Sequence, residues 1–278
     1  MPLHLDRFEF SKGNGIDATP EVMMIVEISS YMRRVEGYQF SIFTQKFHTS
    51  VSKTIRQYNG SILKNDNNCY LVAFESVSDA VLCALKIQYK FKYVTPKHES
   101  FQRRLNIALT AGASLGSGEA LFEDAIELAT RMCEVVVGEL VISAAVAALY
   151  ETENKNAIID KELIRALKPS EEKFLTQIMD HIETNWNEPT FNVANFSTAL
   201  GYSDSQLYRR MIQLTGKPPS NFIREFRLHM ALLQLHQQEG TISDIAQKSG
   251  FKSPSHFSKC FQHKYGVLPS KYVQQHIS

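Results

Sequence analysis

The sequence has no long hydrophobic run, no paired cysteines and almost no net charge, and the first two absences each remove a class of protein. No stretch approaches the roughly eighteen uninterrupted apolar residues of a membrane span. The first ten residues, MPLHLDRFEF, lack the basic and apolar regions of a signal peptide, so a cytoplasmic protein with no membrane partner is expected. The four cysteines, Cys69, Cys83, Cys133 and Cys260, stand singly with no CxxC spacing. That argues against a structural zinc site or a disulfide framework and for buried, reduced thiols. No cofactor and no metal are expected. A net charge of +1 says little alone, but its distribution is uneven: residues 203–278 hold ten Lys/Arg against four Asp/Glu, whereas residues 1–170 hold 19 against 20. A basic end beside a near-neutral body is the footprint of a domain that meets phosphate.

What is present suffices for two domains: 278 residues, 44% apolar and 21% charged. Residues 1–20 read as an irregular polar tail. VMMIVEI, from Val22, reads as a buried strand, followed by a helical pattern from about 38 to 58 that stops at Asn59-Gly60. SILK, a turn around NDNN, and CYLVAF form a hairpin. Ser78 is expected to cap a helix, DAVLCALKIQYKFKYV, ended by Pro96, and LNIALTAG is a strand closed by Gly112. A helix over 121–137 and the strand ELVIS complete an α/β (α+β) domain ending near Tyr150. The polar segment 151–169 reads as a linker with one short helix in KELIRAL. Beyond Ser170, expected as an N-cap, everything reads helical. The expected boundaries are thus a tail over 1–20, an α/β domain over 21–152, a linker over 153–170 and an all-α domain over 171–278.

An internal repeat defines the C-terminal part. SDSQLYRRMIQLTGKPPSNF, from Ser203, aligns with SPSHFSKCFQHKYGVLPSKY, from Ser253, at a constant offset of fifty residues. Each copy follows a short amphipathic helix ending in glycine, VANFSTALGY and ISDIAQKSGF. Helix, glycine turn, helix is the pattern that lays a second helix in the major groove of DNA. At about 100° per residue, Leu207, Met211 and Leu214 share one side, as do Phe257 and Phe261, and these must face inward. Ser205, Tyr208 and Arg209 then face outward, as do Ser255, Ser258 and Lys259, with Gln206 and His256 at the flank. Such hydroxyl, amide and cationic groups reach base edges and phosphates. Between the copies, PPSNFIREFRLHMALLQLHQQEG is a proline-opened helix with a stripe including Phe222, Phe226 and Leu233.

These motifs resemble the AraC/XylS family of transcription regulators over residues 171–278. The first helix-turn-helix covers about 192–216, the linker helix about 218–238 and the second helix-turn-helix about 241–266. Ile245, Ala246, Gly250, Phe251, Phe257, Phe261, Gly266 and Pro269 stand where the family motif has them. The first copy departs from it, with Ser197 in place of a small alanine and apolar Ile212 on the outer side. The resemblance implies a linker helix that sets two recognition helices into successive major grooves of double-stranded DNA, RNA polymerase as a further partner, and activation as the commoner mode.

Residues 22–150 also resemble, segment by segment, class III adenylate/guanylate cyclase homology domains, through IVEISSY, LKNDNNCYLVAF, SVSDAVLCALKIQ, LNIALTAG, LFEDAIELATRM and GELVISAAVAALYE. The resemblance implies a ferredoxin-like sheet and a head-to-tail homodimer. It also puts the catalytic positions in view. The two metal-binding aspartates fall on Glu27 and Asn68, with Asp66 two residues from the latter, and the transition-state asparagine falls on Glu127. The arginine is kept as Arg131 and the base-recognising lysine as Lys64, while the base-recognising aspartate falls on Ala120. A neutral amide replaces a bridging carboxylate poorly, and Glu127 opposes developing phosphate charge. The expectation is a DNA-binding regulator that is not an enzyme, with a cyclase-like domain that dimerises, senses a nucleotide or small molecule at the remnant site, or does both. The alternative is an active nucleotide cyclase fused to a DNA-binding domain.

Overall fold

The computed structural model describes residues 22–29, 37–66, 69–94, 104–112, 118–155 and 159–276. The expected tail and Asn68 lie outside the described residues, and so does Pro96. The chain divides into two compact units, one up to Thr176 and one from Gln177 onward.

The first unit is a mixed sheet with helices. Strand β1 (Val22–Ser29) is followed by α1 (Gly37–Gln57), the hairpin β2 (Ser61–Asn65) and β3 (Cys69–Phe74), and α2 (Val77–Val94). Then come β4 (Arg104–Ala111), α3 (Gly118–Val135), β5 (Leu140–Ile142), α4 (Ala144–Glu153) and β6 (Arg165–Ala166). The six strands lie in the order β2-β3-β1-β4-β5-β6. Each neighbouring pair among the first four is antiparallel, and β5 and β6 add in parallel. Because strand side chains alternate, β1 serves two layers. Val22, Met24, Val26 and Ile28 join a core with Phe47, Val51 and Ile55 of α1 and Val81, Ala84 and Ile87 of α2. Met23, Ile25 and Glu27 take the other face, where α3 lies against β1 and β4 and the Thr110 hydroxyl donates to the Ala125 carbonyl at 2.8 Å.

Three local expectations need correction. Ser78 does not cap α2: the Asp79 amide donates to Ser76 Oγ at 3.2 Å, while the Ser78 hydroxyl donates to the Glu153 carboxylate at 2.7 Å and ties α2 to the end of α4. KELIRAL holds a strand rather than a helix. Burial of Ile164 and Leu167 brings Arg165 and Ala166 alongside β5, and the Leu167 amide donates to the Ile142 carbonyl at 2.9 Å. Pairing with an open strand edge satisfies backbone groups that a single helical turn would leave to water. Finally, α5 (Pro169–Asn185) opens one residue before Ser170, with proline at its first position.

The second unit is helical throughout its described residues. After the end of α5 come α6 (Val193–Ala199), α7 (Asp204–Thr215), α8 (Pro219–His236), α9 (Ile242–Lys248), α10 (Pro254–Tyr265) and α11 (Pro269–His276). Helix α8 buries Phe222, Ile223 and Phe226 near its start and Leu228, Ala231 and Leu235 towards its end. At 100° per residue these two sets point to opposite sides. The later set joins Ile245, Ala246, Phe251, Phe257 and Phe261 in one core, so α8 turns one side to each helix pair. Leu233, expected in the stripe with Phe222 and Phe226, does lie on their side but is exposed.

Candidate nucleic-acid interface

Helix α7 is fixed at both ends by local chemistry. Ser203 and Gln206 form a reciprocal capping box at its start, and Gly216 ends it in the left-handed conformation at φ 70°. Leu207, Met211 and Leu214 are fully buried, so the opposite side is left to solvent. Ser205, Gln206, Tyr208, Arg209, Ile212 and Gln213 are all exposed there. Gln206 Oε1 accepts from the Ser203 backbone amide at 3.0 Å, which orients this side chain. Arg210, beside the outward Arg209, instead lies over the Tyr202 ring at 4.8 Å and donates to its hydroxyl. Ser197 is buried and its hydroxyl donates to the Asp204 carboxylate. The serine in place of alanine therefore has a partner across the turn.

Helix α10 repeats the plan with different groups. Ser253 Oγ accepts from the His256 amide at 3.3 Å, and Gly266 ends the helix at φ 74°. Phe257 and Phe261 are buried, while Ser255, His256, Lys259 and Gln262 are exposed and Ser258 is half-buried. Cys260 departs from the expectation of buried thiols: it is half-exposed, with its sulfur 3.4 Å from His256 Nε2. Burial does hold for the other three, and it pushes the Cys83 thiol up to about 12 and Cys133 well above the ordinary thiol value. The turn before α10 is one residue longer than the turn before α7, since Gly201 and Gly250 are 49 residues apart and the two N-caps fifty.

Two side chains of α8 that the sequence reading did not single out connect the repeats. Glu225 pairs with Lys217, just after α7, at 2.8 Å and with Lys264, in the last turn of α10, at 3.0 Å. Burial raises the Glu225 carboxyl, but the two lysines outweigh it and hold the group below its ordinary value. Arg227 donates to the backbone carbonyls of Trp186 at 2.7 Å, Glu188 at 2.7 Å and Phe191 at 3.1 Å. That clasp explains Gly250: its φ is +73°, and a Cβ there would sit 2.8 Å from Arg227 Nε and 2.9 Å from the Trp186 carbonyl. A single ion pair or clasp leaves no periodic signal in a sequence.

In the first unit, the remnant positions have structural partners. Glu27 lies opposite Cys69 and Asn106 in the sheet, and the former pairing puts it next to the hairpin turn. The Asp66 carboxylate accepts from the Cys69 amide at 2.8 Å and closes that turn. Glu127 and Arg131 pair with each other at 2.6 Å, one turn apart on α3, with the arginine side chain 7% exposed. Lys64 is half-buried on β2, just past an irregularity in the pairing with β3.

Residues 196–275 match a family model described as a helix-turn-helix domain. The chain is 37% identical over 106 residues to histidine kinase P4 of Formosa agariphila, a stretch that is 38% of this chain and 8% of the relative. It is 32% identical over 108 residues to the uncharacterized HTH-type transcriptional regulator YidL of Escherichia coli, covering 38% and 35%. It is 30% identical over 120 residues to the HTH-type transcriptional regulator MtrA of Neisseria gonorrhoeae, covering 42% and 38%. The chain thus spans less than two fifths of the length of each of these relatives. Among solved structures, a regulator described as containing an AraC-type DNA-binding domain, from Chromobacterium violaceum, aligns at 28% identity and a TM-score of 0.37, over 40% of this chain and 98% of that one. By the family-model match, the C-terminal unit of this chain carries a helix-turn-helix domain. Two of the relatives it resembles there are described as HTH-type transcriptional regulators. Among the described residues, no helix is long and apolar enough to cross a membrane.

Proposed function

We propose that the protein is a sequence-specific regulator of transcription that reads double-stranded DNA with α7 and α10. The observation that carries this reading is the duplication itself. Two capped helices, each with one side buried and the other lined by hydroxyl, amide and cationic groups, are held by a common helix through Glu225. Ser205, Gln206, Tyr208 and Arg209 form the first reading surface, and Ser255, His256, Ser258 and Lys259 the second. RNA polymerase is the expected partner on DNA.

The domain over 21–152 is a degenerate cyclase-homology domain that dimerises the chain and takes a nucleotide or small-molecule effector at the remnant site. Three observations support the cyclase-like fold and its lost chemistry. The antiparallel strands run in the order β2-β3-β1-β4, with α1 and α2 packed on one face, which is a ferredoxin-like arrangement. Asp66 is occupied in closing its turn. Glu127 stands where transition-state charge would need a neutral donor and instead neutralises Arg131. A dimer would present two pairs of readers and bind two copies of the site that one chain reads.

The test is to select duplexes from a randomised pool with the full chain, then titrate a selected duplex and its shuffled counterpart by fluorescence anisotropy at one fixed ionic strength. A preference on the order of a thousandfold or more is expected of a specific reader. Equal affinity for both duplexes would reduce the protein to a non-specific polyanion binder.

A further inference from the structure

The outward sides of the two reading helices differ in a way that charge does not capture. Among the described residues of the C-terminal unit, the exposed large apolar side chains are Tyr208 (54%), Ile212 (37%) and Leu233. Two of these three are on α7, one turn apart, in the same outward stripe as Ser205 and Arg209. At the matching positions of α10, fifty residues on, stand Ser258 and Gln262, both polar. Neighbouring exposed apolar groups rimmed by polar ones mark contact sites more than a singly exposed side chain does. In the major groove, the only apolar group among the base edges is the thymine C5-methyl.

Resting on the reading of α7 as a DNA-contacting helix, we propose that Tyr208 and Ile212 form a thymine-methyl subsite. The protein reads its two half-sites by different chemistry. Helix α7 packs its apolar pair against methyl groups, with Arg209 and Ser205 supplying polar contacts around them. Helix α10 uses hydroxyl, amide, imidazole and ammonium groups only. Thymine is therefore required at defined positions of one half-site for its methyl group, whereas the other half-site is read by hydrogen bonding alone.

The experiment replaces each thymine of the selected duplex by deoxyuridine, which keeps every hydrogen-bonding edge and removes only the methyl. Affinity of the full chain is measured for each replacement. Each methyl in contact should be worth about a threefold to fourfold change in affinity. We expect that loss at one or two positions per chain, all in the α7 half-site, and none in the α10 half-site. The variant Ile212→Gln, which installs the α10 residue at an already exposed site, should bind but lose the sensitivity at its position. Uridine tolerated everywhere, sensitivity spread over both half-sites, sensitivity retained in Ile212→Gln, or a selected half-site without thymine would each overturn the subsite. These outcomes leave specific binding intact, whereas absence of any preference for the selected duplex would instead overturn the reading of α7 and α10 as DNA readers.

Discussion

Removing the charge of Glu225 should loosen the C-terminal unit, because this carboxylate joins Lys217 and Lys264 on either side of α8. Glu225→Gln keeps the shape and deletes the charge. The Lys217 side chain is 43% exposed, so its pair is worth at most about 1 kcal/mol. Lys264 is only 14% exposed and its pKa is lowered by burial, so losing this partner costs more, although less than the ~3–5 kcal/mol of a fully buried pair. A total near 2 kcal/mol corresponds to a fall in Tm of about 10 °C for a unit of this size. Trp186, the only tryptophan in the sequence, packs on Phe226 of α8 with ring centroids 6.3 Å apart, so its fluorescence follows this unit within the full chain. The carboxyl is held below its ordinary value of 4.5, so its stabilisation is complete above that pH and is lost as pH falls through the lower folded value. The gap between parent and variant should accordingly close on acidification. Combining Glu225→Gln with Lys264→Met should recover part of the loss, since an apolar chain carries no buried charge. A variant melting within about 2 °C of the parent at neutral pH would refute the reasoning.

Phe257→Ala should destabilise the C-terminal unit by about 3–5 kcal/mol and Ile245→Ala by about 2–5 kcal/mol, because both are fully buried in the core shared with α8; parent-like melting would place them outside it. Arg209→Ala and Lys259→Ala should leave melting unchanged and weaken DNA binding, by ~1–3 kcal/mol for a base contact or through a shallower salt dependence for a phosphate contact. Unchanged affinity together with an unchanged salt slope would refute the outward assignment. Purified protein incubated with ATP or GTP and Mg²⁺ or Mn²⁺ should yield no cyclic nucleotide above background, and robust production would return Glu27, Asp66 and Arg131 to catalytic roles.

The inward sides of α7 and α10 were legible because burial obeys the helical period: Leu207, Met211, Phe257 and Phe261 follow from spacing alone. The strands were legible where apolar runs were long, as in β1 and β3. What escaped depended on contacts between distant parts of the chain. KELIRAL reads as a helix until the open edge of β5 is there to receive it. Ser76 and Ser78 are equivalent caps until Glu153 and Asn154 claim the latter. Leu233 fits the stripe begun by Phe222, and only packing reveals that α8 turns its other side to the second helix pair. The Glu225 and Arg227 contacts have no periodic signature, and each needs the fold before its partners are near.

The central claim is that one chain reads DNA with two helices joined by α8, and hydroxyl-radical footprinting of the full chain on a selected duplex tests it most directly. Two protected segments per chain are expected, on one face of the duplex and about one helical turn, or roughly 10 base pairs, apart. A single protected segment, or the same pattern on a shuffled duplex, would contradict it.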